Sequence, residues 1–147
     1  MQRAQLRPYY RKAQFYETDH MGVIHHANYV HWMEEARTDY MEQIGFSYAR
    51  CAEEHGIDIA LTGLTCRYRG MVRFGEAVNI QVDITALSPA KMTVTYRMYE
   101  TQTGQLRFEG STEHFFYHRE KNRPVALPKA LPELYQLFSD YVQKDGA

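Results

Sequence analysis

The chain has 147 residues, of which 44% are apolar and 24% charged, and its formal net charge at pH 7 is -1. This length suits one globular domain, residues 1–147, and the composition excludes a largely disordered chain. The near-neutral charge excludes a global basic field that would hold nucleic acid or an anionic membrane. Residues 1–14 lack the apolar core of a secretory signal, and Cys51 and Cys66 fit no paired-cysteine motif, so we expect a cytoplasmic protein.

The first predicted element is a strand from Pro8 to Glu17, which ends in a turn over residues 18–22. A helix from about Ala27 to Ile44 follows, because apolar residues recur there at spacings of three and four. Its predicted apolar stripe consists of Val30, Met33, Ala36, Tyr40, Met41 and Ile44. Gly45 fits the position just after the helix, and a shorter helix covers Ser47 to His55.

The rest of the chain mostly has the period of strands. One strand lies between about Ile57 and Arg69, and three more cover residues 78–85, 92–98 and 106–117. Short turns between the last three make them antiparallel. A helix over Lys129 to Val142 ends the chain. We therefore predict an α+β domain in which four strands form a meander that wraps around the long helix.

The chemistry is expected where the first strand gives way to the helix, because Asp19 lies there with Gly22 three residues later. Free N–H groups at a helix start can hold developing negative charge, while a nearby carboxylate attacks a carbonyl or activates water. A thioester suits these groups, because its thiolate leaves without a strong general acid. From spacing alone, the commoner role of such an Asp is a turn residue that bonds to the local backbone.

Three motifs occur together, namely Tyr16-x-x-Asp19-x-x-Gly22-Val23, His26-Ala27-Asn28-Tyr29 and Glu35-Ala36-Arg37. This combination resembles the 4-hydroxybenzoyl-CoA thioesterase-like hot-dog family, and within it the bacterial acyl-CoA thioesterases associated with the Tol-Pal operon. The similarity extends from Tyr10 to Tyr117 and includes the strand Cys66-Arg67-Tyr68-Arg69. It implies a hot-dog fold, in which an antiparallel sheet wraps around a long central helix. It also implies an enzyme that hydrolyses acyl-CoA thioesters without a cofactor.

The resemblance implies that Asp19 is the catalytic acid and that Gly22 shapes its turn. The amide near His25 or His26 would polarise the thioester carbonyl, and the His26 side chain would support the site. Many relatives have Tyr at the position of His25. The change is harmless if only the main-chain N–H acts, but it alters specificity if the side chain contacts the substrate. Whether Asp19 attacks directly or through water stays open, and neutralising Glu17 or Glu34 should matter much less than neutralising Asp19.

Substrate contacts are expected from Tyr16, Tyr29, Arg67 and Arg69. The Arg67, Arg69 and Arg73 cluster, or a second cluster of Arg119, Lys121 and Arg123, would grip the phosphates of coenzyme A, or else both are solvated surface. No metal is predicted, because the four neighbouring histidines have no metal-binding spacing: His20, His25, His26 and His31.

Three alternatives to an acyl-CoA hydrolase stay open. The first is a thioesterase that acts on an acyl carrier protein. The second is an acyl-thioester dehydratase that uses Asp19 with His25 or His26, and the third is a non-catalytic acyl-binding module. In each case bare strand edges and the apolar Phe115, Phe116 and Tyr117 predict a homodimer, or a homotetramer built as a dimer of dimers.

Overall fold

The computed structural model describes residues 6–143. Its elements, in chain order, are β1 (Tyr9–Lys12), a 3-10 turn (Phe15–Glu17), α1 (Asn28–Gln43), α2 (Tyr48–His55), β2 (Ile57–Tyr68), β3 (Ala77–Leu87), β4 (Lys91–Glu100), β5 (Leu106–His118), β6 (Arg123–Pro124), α3 (Leu127–Ala130) and α4 (Pro132–Tyr141). The predicted α+β class is therefore confirmed. None of the helices in this part of the chain is long and apolar enough to cross a membrane.

All strands belong to one antiparallel sheet with the order β1-β3-β4-β5-β2, and the short β6 pairs with the end of β5. β3, β4 and β5 are joined as successive hairpins. β2 pairs with β5, with Tyr68 opposite Phe108, and forms the far edge of the sheet. The predicted four-strand meander is wrong at its first strand, because residues 69–76 carry the chain from β2 across to β3 on the other side of the sheet.

The long helix α1 packs on one face of the sheet. Its buried side chains are Tyr29, Trp32, Met33, Ala36, Tyr40 and Met41. The helix approaches β5 closely at Gly110, where an added Cβ would lie 2.7 Å from the Met33 sulfur and 2.8 Å from the Phe108 ring. The predicted stripe is confirmed over most of its length, but the first turn buries Tyr29 and Trp32 while Val30 is only half-buried.

Two predicted elements are shorter than expected. The first strand ends at Lys12, because the chain then bends into the 3-10 turn that buries Glu17. The predicted C-terminal helix is divided at Leu131, because Pro132 has no N–H to continue α3 and instead begins α4. The predicted end of α1 is confirmed by Gly45, whose φ of 89° lies in the left-handed region that favours glycine.

Candidate active site

Asp19 lies on a tight turn between the 3-10 turn and α1. The Asp19 N–H donates to the Val23 carbonyl at 2.8 Å, and the Gly22 N–H donates to the Asp19 carbonyl at 3.1 Å. Gly22 has a φ of 80°, which a residue with a Cβ rarely adopts. Asp19 Oδ1 accepts the Met21 N–H at 2.8 Å, while Oδ2 makes no hydrogen bond within residues 6–143. The turn thus uses one carboxylate oxygen, and the other has no hydrogen-bond partner in the described chain.

The amides that precede α1 differ in whether they already have an acceptor. The His25 N–H donates to the Glu17 carbonyl at 2.9 Å, and the Ala27 N–H donates to His25 Nδ1 at 3.2 Å. The His26 N–H makes no hydrogen bond to any described residue. Of the two amides that the sequence offered, only that of His26 remains to hold an oxyanion.

The peptide group that carries the His26 N–H is fixed from its other side. Its carbonyl belongs to His25 and accepts from Asn28, at 3.0 Å from the main-chain N and at 3.3 Å from Nδ2. Because the C=O and N–H of a trans peptide point in opposite directions, the His26 N–H is directed away from the first turn of α1. A hydrogen-bonded carbonyl also polarises its peptide group, which strengthens the N–H as a donor.

Glu17 fixes the start of the Asp19 turn and is itself only 3% exposed. Its carboxylate accepts four hydrogen bonds of 2.8 to 2.9 Å, from Arg11 Nη1, Arg11 Nη2, Gln14 N and Trp32 Nε1. Its carbonyl accepts from the His25 N–H and from Asn28 Nδ2, both at 2.9 Å. The residue before the Asp19 turn is therefore held at both its side chain and its main chain.

Residues 69–76 close over the same turn from the other edge of the sheet. The Ile24 N–H donates to the Val72 carbonyl at 2.8 Å, and Val23 pairs with Arg73 in an isolated bridge. The two segments that meet here follow β1 and β2, which are the two edge strands of the sheet. The sheet must therefore curl around α1 for the Asp19 turn to be complete.

Arg107 anchors this second segment and is 8% exposed. Its Nη1 donates to the Met71 carbonyl at 2.6 Å and to Glu76 at 3.0 Å. The hydrogen bond from Arg107 lowers the pKa of Glu76 below its ordinary value. The ion pair thus stays charged at neutral pH and holds residues 69–76 against the start of β5.

Tyr68, at the end of β2, forms one wall beside the helix start. Its hydroxyl donates to the His26 carbonyl at 3.1 Å, and its ring packs edge-on against Tyr29 and Phe108. The rings of His25 and His26 stack at 4.2 Å. In the described part of the chain, no group of three or more His, Cys, Asp or Glu side chains could hold a metal ion.

The residues predicted to contact substrate are placed differently from one another. Tyr16 is 77% exposed on the 3-10 turn, whereas Tyr29 is 2% exposed and stacks on Phe108 at 4.9 Å. The burial of Tyr29 favours packing over direct substrate contact. Arg67 and Arg69 are exposed near the end of β2, where Arg69 donates to Glu109 at 2.9 Å.

The second basic cluster, Arg119, Lys121 and Arg123, lies on and beside the turn that joins β5 to β6. Tyr68 pairs with Phe108 near the start of β5, and this cluster follows its last residue, His118. Ten residues of strand separate Phe108 from His118, a length of roughly 30 Å. Within one chain, the cluster of Arg67, Arg69 and Arg73 thus lies at the Tyr68 end of the sheet, and the second cluster lies at the opposite end.

The sequence alone does not predict the four hydrogen bonds to the Glu17 carboxylate, and it predicts that neutralising Glu17 or Glu34 has a similarly small effect. The Glu34 side chain is 65% exposed, whereas Glu17 is buried and fully hydrogen-bonded. The available signal was Trp32, the only tryptophan in the chain. It lies on the helix that packs against the sheet, and a buried indole N–H usually finds an acceptor.

A sheet curled around one long helix, with a carboxylate turn at the helix start, defines a hot-dog protein of the thioesterase type. The chain matches the Thioesterase-like superfamily over residues 13–135, and it belongs to that superfamily. The predicted hot-dog fold and the predicted thioesterase class of enzyme are confirmed.

Individual relatives agree with this assignment. The chain is 29% identical over 118 residues to the acyl-CoA thioester hydrolase YbgC of Escherichia coli O6:H1, covering 80% of this chain and 87% of that protein. It is 25% identical over 127 residues to the 1,4-dihydroxy-2-naphthoyl-CoA hydrolase of Thermosynechococcus vestitus, covering 86% of each. The solved DHNA-CoA thioesterase from Staphylococcus aureus superposes with a TM-score of 0.83 and 32% identity, over 89% of this chain and 87% of that one.

Proposed function

We propose that the chain hydrolyses acyl-CoA thioesters, with Asp19 as the acting carboxylate and the His26 N–H as the oxyanion donor. One observation carries the proposal. Both groups lie in the short segment between the 3-10 turn and α1, and each has a hydrogen-bonding position that no described residue fills. The relatives named above act on coenzyme A thioesters by name, which supports the same class of substrate here. The predicted relationship to the Tol-Pal-associated enzymes of the 4-hydroxybenzoyl-CoA thioesterase-like family stays part of the proposal.

In the proposed reaction, the thioester carbonyl oxygen accepts a hydrogen bond from the His26 N–H. Asp19 then either attacks the carbonyl carbon or takes a proton from the water that attacks it. Negative charge builds on the carbonyl oxygen, and the prearranged N–H stabilises it without reorganising. The carbon–sulfur bond then breaks and the thiolate leaves. In the water route this step gives the free carboxylic acid. In the direct route it gives the acyl-Asp19 anhydride, which water hydrolyses in a second step to the acid and the Asp19 carboxylate.

The surroundings of the turn suit the rest of the substrate. Tyr16 and Tyr68 offer exposed aromatic surface beside the Asp19 turn and the start of α1, to which an acyl group can bind. Arg67 and Arg69 flank Tyr68 in the sequence and are exposed on the opposite face of the sheet, where Arg69 contacts Glu109. Their guanidinium groups can bind the phosphates of a coenzyme A that extends from the site over the end of the sheet. We place the enzyme in the cytoplasm, where coenzyme A thioesters are formed and used.

The proposed assembly is a homodimer, or a homotetramer made of two dimers. β2 is an edge strand of 12 residues and pairs with no strand on its outer side in the described chain. It exposes large apolar side chains at Leu61, Leu64 and Tyr68. A long apolar edge is an open template for another strand, and a second copy would cover it. Static light scattering that shows a stable, active 17.3 kDa monomer would contradict this assembly.

The reaction is tested by thiol release from a panel of aliphatic and aromatic acyl-CoA substrates, with an acyl carrier protein thioester as the alternative donor. Asp19→Asn should preserve the turn, because the Asn oxygen can still accept the Met21 N–H. It should lower kcat by at least ~10²-fold with little change in KM, since the amide neither attacks nor takes a proton. Glu34→Gln is the exposed control and should keep nearly full activity.

Two results would overturn the proposal. The first is a wild-type protein that releases no thiol from any substrate. The second is an Asp19→Asn variant that keeps more than about a tenth of the wild-type kcat, because a tenfold loss is only ~1.4 kcal/mol of barrier.

A further inference from the structure

We propose that Glu17 is a positioning residue for this reaction, one that sets the Asp19 turn in place relative to the start of α1. This inference rests on the proposed function. Glu17 lies two residues before Asp19, and its carboxylate is buried among four donors. A carboxylate has about four acceptor positions, so this one is fully satisfied by the protein.

The donors come from three separate parts of the fold. Arg11 belongs to β1, Gln14 precedes the 3-10 turn, and Trp32 lies one turn into α1. A buried ion pair is a weak source of stability, because the cost of removing two charges from water offsets their attraction. Its more informative effect is geometric, since four short hydrogen bonds in fixed directions leave Glu17 one position relative to the helix.

Glu17 is connected to both groups of the proposed site, the Asp19 carboxylate and the His26 N–H. Asp19 follows after two residues, within about 7 Å of chain. The Glu17 carbonyl binds the His25 N–H and Asn28 Nδ2, and the same Nδ2 binds the carbonyl of the peptide that carries the His26 N–H. The positions of the Asp19 carboxylate and of the His26 N–H therefore both depend on the position of Glu17. An error of ~1 Å between such groups can cost ~10²-fold in rate.

Arg11 provides a matched comparison, because it binds a second carboxylate outside the turn. Arg11 Nε donates to Glu35 at 2.8 Å, and the Tyr9 hydroxyl donates to the same oxygen at 3.0 Å. Within residues 6–143, Glu35 binds no residue of the Asp19 turn. Neutralising Glu35 thus removes an ion pair from the same guanidinium but leaves the site geometry unchanged.

The experiment compares Glu17→Gln with Glu35→Gln in the thiol-release assay, well below the melting temperature of each variant. Glu17→Gln should lower kcat by about 10- to 100-fold, while KM changes by less than about threefold. Glu35→Gln should stay within about twofold of the wild type. A purely stabilising role of Glu17 would lower the melting temperature and leave the kcat of the folded protein unchanged.

Trp32→Phe is the second variant and decides the case if Glu17→Gln does not fold. It removes one donor to the Glu17 carboxylate and keeps an aromatic ring in the core. We expect a loss in kcat of about threefold or more, with KM little changed. A folded Glu17→Gln with wild-type kcat, an equal loss in Glu35→Gln, or an unaffected Trp32→Phe would each overturn the inference. If Asp19→Asn is inactive while Glu17→Gln is normal, this inference alone fails and the proposed function stands.

Discussion

Replacing His26 with proline removes the main-chain N–H from the proposed site, together with the imidazole ring that stacks on His25. The Asn28 N–H donates to the His25 carbonyl at 3.0 Å, so His26 is the first central residue of a turn that leads into α1. Ala27, the second central residue, has φ and ψ of -67° and -24°, which fit a type I turn. Proline is favoured at the first central position, where the N–H is not used by the turn.

The expected magnitude follows from the role of that N–H. Loss of one oxyanion donor costs ~10²–10³ in kcat, or about 2.7–4 kcal/mol of transition-state stabilisation. His26→Ala is the matched control, because it removes the same imidazole but keeps the N–H, and it should retain part of the activity. The proline variant should be as stable as the alanine variant, or more stable by about 0.4–1 kcal/mol, because its unfolded chain is stiffer.

The assay measures kcat and KM for both variants with one acyl-CoA substrate, and the melting temperature of each. We expect the proline variant to be ~10²-fold or more below the alanine variant in kcat, with similar melting temperatures. Equal kcat values in two folded variants would refute the assignment of the His26 N–H, because the only donor that distinguishes them would then be irrelevant. Low activity with a collapsed melting temperature would instead refute the turn geometry.

Two further variants test the interior. Burial and the nearby charge of Arg37 lower the pKa of His114 to about 4 from 6.5, so the unfolded chain binds its proton first as the pH falls. The contribution of His114 to stability is therefore complete above about pH 6.5 and decreases towards pH 4. In urea unfolding, the wild type should lose about 2–3 kcal/mol more than His114→Gln when the pH is lowered from 7.5 to 4.5. A parallel loss in both proteins would contradict this. Gly110→Ala would place a methyl group against Met33 and should destabilise the chain by about 1–3 kcal/mol in the same titration, whereas wild-type stability would mean that α1 can shift away from β5.

The parts of the fold that the sequence predicts well are those with local causes. The spacing of Met33, Ala36 and Tyr40 is enough to predict α1, and Gly45 its end, because both depend on neighbours within two turns. The pairing of β2 with β5 is not local. Sequential strands usually lie side by side, so a pattern of four strands favours a meander unless something reveals the crossover.

The site shows the same division. The Asp19 turn and the helix start have signatures within ten residues, so their position along the chain is predictable. The hydrogen bonds to the Glu17 carboxylate are not predictable in this way, because Arg11 belongs to β1 and Trp32 to α1, and no local rule relates the two. Sequence spacing also does not show which amide is occupied. That difference between His25 and His26 depends on where the Glu17 carbonyl lies after folding.

The contact between Val23 and Arg73 has a consequence for the order of folding. These residues are about fifty positions apart in the chain and follow opposite edge strands, so their pairing closes a long loop, and we expect it to form late in folding. An intermediate that contains only α1 and the β3–β5 hairpins would lack the contacts between residues 69–76 and the Asp19 turn. Opening the Ile24 amide, which donates to Val72, requires residues 69–76 to move away from the Asp19 turn. In native-state hydrogen exchange, we expect this amide to be better protected than an ordinary loop amide.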